Sequence, residues 1–311
     1  MKIYKYASFD KGKLIIDGKK VLLNNPENYN DPFDCLIKPL KEDEDECHKR
    51  IVYYFMFKTF AEIIENESIK GVPSFVRFEL KLYKKILKKK PYYDKMPIFD
   101  NVTKIGLEKY SKTHPEFKKE LKMQKQKFIR DIELKVEEIR KSLLVTCFSK
   151  TNNSILLWSH YGDSHRGVCI EYDLDPKEYE TVKYRKKRQQ LDLKFITAIV
   201  LGYDFIGETI DVNNPRIMES ISKVLLTKSR DWKYESEVRM IRLANKPSED
   251  VDLVSDEDKH YLRLDKISKV FVGCRASQEN INELKRRFPD VQIVQMKDSD
   301  YKYELSEVSL A

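Results

Sequence analysis

Residues 143–172 read LLVTCFSKTNNSILLWSHYGDSHRGVCIEY, and this stretch decides the fold. Two short apolar runs, LLVTCF at 143–148 and GVCIEY at 167–172, enclose a polar segment rich in Asn, Ser and His. Apolar runs of this length indicate buried strands. Between them, residues 152–162 predict a short helix with Asn153 or Ser154 at its N-terminal cap. The stretch therefore predicts two core strands joined by a helical connection.

Strand and helix patterns continue on both sides of this stretch. IYKY at 3–6 predicts an opening strand, and residues 13–17 and 19–23 predict a hairpin that turns at Asp17-Gly18. Further along, the sequence predicts a strand at 194–203, a helix at 217–229 and a strand at 236–243. Residues 270–273, 278–288 and 291–295 predict strand, helix and strand, which form a parallel βαβ unit if both strands join one sheet.

Residues 42–143 differ from the rest of the chain because they form long, charged segments with helical periodicity. Strand patterns resume directly after this region, so we interpret it as a helical insertion. The whole pattern predicts an α/β (α+β) fold within one domain of residues 1–311. Its parts are a mixed central sheet, the inserted helical subdomain at 42–143 and the C-terminal βαβ unit.

Composition favours a cytoplasmic protein without a membrane segment. The N-terminus has no apolar signal region, and no run of about 18 apolar residues occurs anywhere. The cysteines have wide spacings and no neighbouring histidine at ligand spacing, so we expect reduced thiols and no metal site. These residues are Cys35, Cys47, Cys147, Cys169 and Cys274.

The positive charge of the chain is concentrated in one region. The net charge is +8, and residues 77–141 hold twenty Lys or Arg against ten Asp or Glu. A basic helical segment of this kind is a possible binding surface for nucleic acid or for a protein acceptor. The alternative is a set of solvated helix faces without a partner.

The first candidate site lies between the two core strands, in the segment that contains Trp158, His160, Tyr161, His165 and Arg166. Aromatic and ionisable residues that crowd a loop between buried strands are typical of binding and catalytic sites. The alternative is that Trp158 and Tyr161 pack the helix on the sheet while the histidines cap it.

The second candidate site is KSRDWKYESEVR at 228–239. On a strand that begins at Glu235, alternation places Glu235, Glu237 and Arg239 on one face. Trp232 and Tyr234 flank this face, which favours a ligand-facing edge. The alternative is a surface ladder of cross-strand ion pairs.

The third candidate is the loop NDPFD at 30–34, where Asn30, Asp31 and Phe33 could contact a ligand. Asp and Pro at this spacing equally predict a structural Asx-turn.

Several motifs resemble one bacterial family over nearly the full length of the chain. They are IYKYAS, YNDPFD, CFSKTNNSILLWSHYGDSHRGVCIEYDL, VKY, KSRDWKYESEVR and ISKVFVGCRAS. On these motifs the chain is identified as a member of the family catalogued as domain of unknown function 2971. Their order is also similar to that of ADP-ribosyltransferases, in which a basic residue on the first strand, an aromatic-Ser strand and a Glu-x-Glu strand hold NAD.

This resemblance implies roles for particular residues. Lys5, Phe148-Ser149 and Glu235-Ser236-Glu237 match in order, although Lys5 stands where Arg or His is usual and Ser149 lacks the following Thr-Ser. Glu237 would stabilise the cation that forms when NAD loses nicotinamide, and Glu235 would position an acceptor. Tyr161 or Trp158 would stack on nicotinamide, and Lys5 and Arg239 would bind phosphate. The resemblance also implies a place in antiphage or toxin-like systems.

The resulting hypothesis is an NAD-consuming ADP-ribosyltransferase or NAD glycohydrolase with NAD as substrate and no metal. One alternative is a nucleic-acid-binding or nuclease-like protein with His160 and His165 as an acid-base pair, and another is a non-enzymatic sensor. The candidate catalytic residues are His160, Tyr161, Glu235 and Glu237. The candidate ligand-binding residues are Lys5, Tyr6, Asn30, Asp31, Phe33, Ser149, Trp158, His165, Arg166, Lys228, Trp232 and Arg239.

Overall fold

The computed structural model describes residues 1–38, 44–52, 54, 74–90, 115–208, 214–244, 252–256 and 259–309. The chain divides into two compact units. The first comprises Met1–Leu36, Ile139–Arg188 and Leu225–Ala311, and the second comprises Ile37–Glu138 and Gln189–Val224. The candidate catalytic and ligand-binding residues all lie in the first unit, whereas most of the basic segment 77–141 lies in the second.

Strands and helices are interspersed along the described part of the chain. They begin with β1 (Lys2–Ala7), α1 (Phe9–Gly18), β2 (Lys20–Leu23), α2 (Ser74–Lys89), α3 (Pro115–Ser142), β3 (Leu143–Ser149), α4 (Ile155–His160), β4 (Val168–Asp173), β5 (Glu180–Thr181), β6 (Lys183–Arg185), α5 (Leu193–Phe205) and α6 (Pro215–Leu225). They continue with β7 (Thr227–Ser229), β8 (Glu237–Leu243), β9 (Leu253–Asp256), β10 (Lys259–Arg263), β11 (Ile267–Val272), α7 (Gln278–Arg287), β12 (Gln292–Asp298) and β13 (Leu305–Ser309). Short 3-10 helices form at Pro26–Asn28 and Arg230–Glu235.

An eight-stranded mixed sheet forms the centre of the first unit. Its strand order is β13-β12-β11-β4-β1-β3-β8-β5. The pair β11 and β12 is parallel, whereas β4, β1, β3 and β8 pair antiparallel with their neighbours. The predicted fold class and the C-terminal βαβ unit are therefore confirmed, as are the two core strands at 143–172. Ser154 caps α4 by accepting a hydrogen bond from the backbone of Leu157.

Each face of the large sheet packs its own core. On one face, α1 and α7 cover a core that includes Ile3, Val168 and Ile170. On the other face lies a smaller core of Trp158, Cys169, Phe271, Val294, Met296 and Leu305. Strand pairing aligns Tyr4 with Ser149, and Ser149 with Glu237. Because Tyr4 packs against the smaller core, Ser149 and Glu237 lie on that face of the sheet.

The hairpin predicted at Asp17-Gly18 is wrong, because residues 9–18 form helix α1. Phe9, Gly12 and Ile16 are buried at helical spacing. The helix ends at Lys19, which adopts a left-handed conformation (φ 45°) and donates its backbone N–H to Ile16 O. The Asp-Gly pair therefore marks a helix end, and β2 pairs instead with β10.

The strand predicted at 194–203 is also wrong, because this apolar run forms helix α5. Asp192 caps it by accepting a hydrogen bond from the backbone of Phe195. The length of this apolar run explains why it forms a helix and not a strand, since it is long enough for a buried helix. The helix predicted at 217–229 ends earlier, at Leu225, and its last residues form β7.

Long helices dominate the described part of the predicted insertion. They are α2 and α3, and residues 44–52 are also helical. Among the described residues, no helix has both the length and the apolar composition needed to cross a bilayer.

Replacement of Gly12 by Ala tests the packing of α1 on β4. An added Cβ would lie 2.2 Å from Val168 Cγ2, so the helix or the strand must shift. We expect Gly12→Ala to lower the free energy of unfolding by about 1–3 kcal/mol, measured by denaturant unfolding.

Gly18→Ala is the matched control in the same helix. Its Cβ would meet the flexible side chain of Lys20 at 3.2 Å, so we expect little change. Equal stability of the two variants would contradict this packing.

Candidate functional site

Arg239 lies at the centre of the candidate site, and its side chain has no exposed surface. Its Nε donates to Glu237 Oε1 at 2.7 Å, and Nη2 donates to Glu237 Oε2 at 3.0 Å and to Asp34 Oδ2 at 2.7 Å. Nη1 donates to Leu225 O at 2.6 Å and to Cys35 Sγ at 2.9 Å. All five N–H groups of the guanidinium therefore have an acceptor.

Lys228 supplies a second buried cation beside Arg239. Its Nζ lies 2.6 Å from Glu235 Oε2, 3.0 Å from Glu237 Oε2 and 3.3 Å from Asp34 Oδ2. We call Asp34, Lys228, Glu235, Glu237 and Arg239 the buried ion network. Its three carboxylates and two cations carry one net negative formal charge.

Local backbone structure brings Glu235 to this network. β8 begins at Glu237, so the prediction that Glu235 lies on the strand is wrong. Glu235 instead ends the 3-10 helix, and Ser236 turns the chain in a left-handed conformation (φ 46°). The hydroxyl of Ser149 donates to Glu235 O at 2.7 Å and fixes this turn. The hydroxyl of Tyr184 accepts from the backbone N–H of Glu237 at 2.7 Å.

The two glutamates have opposite pKa shifts. Burial opposes ionisation of Glu237, but Arg239 and Lys228 outweigh it and lower the pKa from 4.5 to about 2. Burial raises the pKa of Glu235, and the charge of Lys228 opposes this rise only in part. Because the folded-state pKa of Glu237 is depressed, its contribution to stability is present above pH 4.5 and is lost as the pH falls toward 2. Adjacent carboxyl groups with divergent pKa values can divide the roles of fixed charge and proton carrier.

Aromatic side chains adjoin the buried ion network. Tyr161 is 37% exposed, and its hydroxyl donates to Glu235 Oε1 at 2.8 Å. His160 contacts both Tyr161 and Tyr234, with ring centroids 6.4 and 6.3 Å apart. Tyr234 also contacts Trp232 at 6.0 Å. We call these four residues the aromatic group, and Lys228 Nζ lies 4.9 Å from the Trp232 ring centre.

Trp158 does not belong to this group, because it is buried completely. Its indole N–H donates to Asn152 O at 2.7 Å, and its ring meets Tyr6 edge-on at 5.2 Å. Tyr6 in turn donates to Thr151 O at 2.9 Å. The structure thus supports the packing alternative for Trp158, and of the two rings predicted to stack on nicotinamide it leaves Tyr161 accessible.

The charge of Glu237 acts on Lys5, but the two side chains leave opposite faces of the sheet, so Lys5 does not join the buried ion network. Lys5 pairs with Ile170, which faces the larger core. Its Nζ donates to Thr146 Oγ1 at 3.1 Å and to Cys147 O at 2.8 Å.

The loop at 30–34 combines a structural turn with one network residue. Asp31 accepts from the backbone of Phe33 at 2.9 Å, which is the predicted Asx-turn, while Asn30 and Phe33 are exposed. Asp34 lies in this candidate loop but was not among the predicted ligand-binding residues, and it reaches Lys228 and Arg239. The charge pattern held no signal for it, because its partners lie about two hundred residues away.

His160 and His165 have different surroundings. His160 is exposed in the aromatic group, whereas the His165 ring stacks on Trp158 at 6.5 Å. His165 Nε2 lies 3.0 Å from Ser159 Oγ, and Arg166 is exposed. Within the described residues, no group of His, Cys, Asp and Glu is arranged to hold a metal ion.

Comparison with known protein families gives a match over part of the chain. Residues 157–240 match the family model described as protein of unknown function (DUF2971). The matched region runs from α4 to β8, so it contains the aromatic group and every member of the buried ion network except Asp34. No curated protein and no solved structure matches the chain.

The burial of these ion pairs also overturns the surface-ladder alternative. Glu237 and Arg239 lie in the interior, where removal of one charged partner leaves the other desolvated and unpaired.

We therefore expect Arg239→Met to lower the free energy of unfolding by about 3–5 kcal/mol, measured by denaturant unfolding. Arg287→Met is the matched control, because Arg287 forms an exposed ion pair with Asp17 and its loss should change stability little. A similar effect of the two substitutions would contradict the central position of Arg239.

Proposed function

We propose that this protein cleaves the bond between nicotinamide and ribose in NAD and transfers ADP-ribose to water or to an acceptor. The observation that carries the proposal is the pair Glu235 and Glu237, which shares Lys228 and adjoins the hydroxyl of the partly exposed Tyr161.

The chemistry requires negative charge near the ribose. Loss of nicotinamide leaves an oxocarbenium-like centre, which fixed negative charge stabilises in a site of low dielectric. Glu237 stays ionised across the physiological pH range because Arg239 and Lys228 hold its pKa low. The net negative charge of the buried ion network would act on the ribose as a fixed field.

Glu235 is the better candidate for proton transfer. Its pKa is raised, and its Oε1 is already an acceptor for the Tyr161 hydroxyl. An acceptor hydroxyl or a water molecule that replaces the Tyr161 hydroxyl at Glu235 Oε1 could transfer its proton to this oxygen. Glu235 would therefore position and deprotonate the acceptor.

The aromatic group would bind nicotinamide. The nicotinamide ring of NAD carries a positive charge that is lost on cleavage, and aromatic faces attract such cations. Tyr161 and Trp232 offer accessible rings within the group, next to the negative network. A surface of this kind would hold the charged ring before cleavage and release the neutral product.

Release of nicotinamide from NAD, with and without cell lysate, tests the proposal. We expect Glu235→Gln to lower kcat at least about 100-fold, because it removes the proton acceptor. Tyr161→Phe keeps the ring but removes the hydroxyl, and it should lower kcat about tenfold.

Tyr303→Phe is the matched control, because Tyr303 is fully exposed and lies outside the site. No release by wild type in either condition would contradict the proposal, as would equal release by Glu235→Gln. Saturable NAD binding without release would instead indicate a non-enzymatic sensor.

A toxin-like or antiphage role depends on this activity, since NAD depletion would stop growth.

A second candidate function is nucleic-acid binding by the basic segment 77–141. One observation favours it: Lys81, Lys85 and Lys88 are exposed along α2 at spacings of four and three residues. This spacing places the three ammonium groups on one face of the helix, where they could follow a phosphate backbone.

The salt dependence of single-stranded RNA binding tests this candidate. Replacement of Lys81, Lys85 and Lys88 by Gln should reduce the slope of log affinity against log salt by about three. The control replaces Lys177, Lys186 and Lys187, which are exposed in the sheet unit. A slope that stays unchanged in the α2 variant would exclude this surface.

A further inference from the structure

Two of the sequence motifs have no part in the proposed reaction, and the structure brings them together. One is the turn at 162–167, and the other is VGCRAS at 272–277, between β11 and α7. The backbone N–H of Gly273 donates to Gly167 O at 3.0 Å, and that of Arg275 donates to His165 O at 2.9 Å. A Cβ at Gly273 would lie 2.1 Å from His165 O, so the close approach requires glycine.

This approach places a thiol beside an imidazole. Cys274 Sγ lies 3.8 Å from His165 Nδ1, and both side chains are partly buried. On the other side of the ring, His165 Nε2 lies 3.0 Å from Ser159 Oγ. The order thiol, imidazole, hydroxyl is that of a nucleophile with a base that a third group orients.

The hydrogen bonds of Ser159 indicate which nitrogen of the His165 ring carries the proton. The other nitrogen can then act as a base toward the thiol. Ser159 Oγ donates its single proton to Ile155 O at 2.9 Å, so it can only accept at His165. The neutral imidazole then carries its proton on Nε2, and the lone pair of Nδ1 points to Cys274. Burial raises the pKa of the Cys274 thiol and lowers that of His165, so the resting pair is neutral.

The imidazole is held in place by the backbone of its turn. Asp163, Ser164 and His165 all adopt left-handed conformations, with φ of 50°, 53° and 69°. The backbone N–H of His165 donates to Trp158 O at 3.1 Å, and its ring stacks on the indole. A base in this position needs no rearrangement to accept the thiol proton.

We propose that Cys274 is a reactive thiol that hydrogen peroxide and other small electrophiles modify, with His165 as its base and Ser159 as a positioning residue. The sulfur attacks one peroxide oxygen as the O–O bond breaks, and its proton passes to His165 Nδ1. The imidazolium returns this proton to the departing hydroxide. The products are a sulfenic acid on Cys274 and one molecule of water.

Cys147 provides an internal control within the same protein. It is also partly buried, but its Sγ contacts the Tyr29 hydroxyl at 3.4 Å, and burial raises its pKa to about 12. The carboxylate that accepts a hydrogen bond from Cys147 belongs to Glu237, which is a weak base because its pKa is about 2, so this thiol should react slowly.

The experiment exposes the protein to hydrogen peroxide, traps sulfenic acid with dimedone and quantifies each cysteine by peptide mass spectrometry. We expect Cys274 to be labelled about tenfold faster than Cys147, because a positioned base assists it. His165→Asn should remove this advantage, since Asn tolerates the left-handed backbone but cannot act as the base. Ser159→Ala should reduce it several-fold without altering the turn.

Three results would overturn the proposal. They are equal labelling of Cys274 and Cys147 in wild type, an unchanged Cys274 rate in His165→Asn, and an unchanged rate in Ser159→Ala. Unchanged Cys147 labelling shows that a variant has kept its fold. Nicotinamide release is not needed for any of these outcomes, so they are independent of the proposed function.

Discussion

The five hydrogen bonds of the Arg239 guanidinium are the interaction on which the first unit depends. They join β8 to the loop that carries Asp34 and Cys35 and to the backbone of Leu225. A buried guanidinium is costly unless every donor is paired, and here each one is. Stability alone does not require such a network, because apolar residues of equal volume fill a core as well. What the network adds is two carboxyl groups held side by side with different pKa values.

Those two carboxyl groups connect the fold to the proposed chemistry. The sheet register places Glu237 beside Ser149, and the left-handed turn at Ser236 returns Glu235 to the same ammonium group. One carboxylate is neutralised by two cations, whereas the other reaches the surface through the hydroxyl of Tyr161. Negative charge below an aromatic surface suits a substrate whose positive charge moves from a ring to a sugar.

The sequence predicts those parts of the fold that depend on local residue patterns. It does not predict the parts of the fold and of the site that depend on contacts between residues far apart in the chain. Buried strands at 143–172 and the C-terminal βαβ unit follow from apolar runs and their spacing. The strand predicted at 194–203 is wrong, because this apolar run is long enough for a buried helix and forms α5. In the site, Glu235, Glu237 and Arg239 were found because they are neighbours in sequence. Asp34 was missed, since only folding brings it to Arg239, and Lys5 was assigned to the site although strand alternation turns it away.

We propose that the aromatic group and the buried ion network bind NAD together. The chain has two tryptophans, of which Trp158 is fully buried and Trp232 is partly exposed in the aromatic group. The most direct test is a titration with NAD, followed by tryptophan fluorescence, in wild type and in Trp232→Phe. We expect a saturable fluorescence change in wild type below about 1 mM NAD, and no such change in the variant. An unchanged signal in wild type, or an equal change in both proteins, would contradict it.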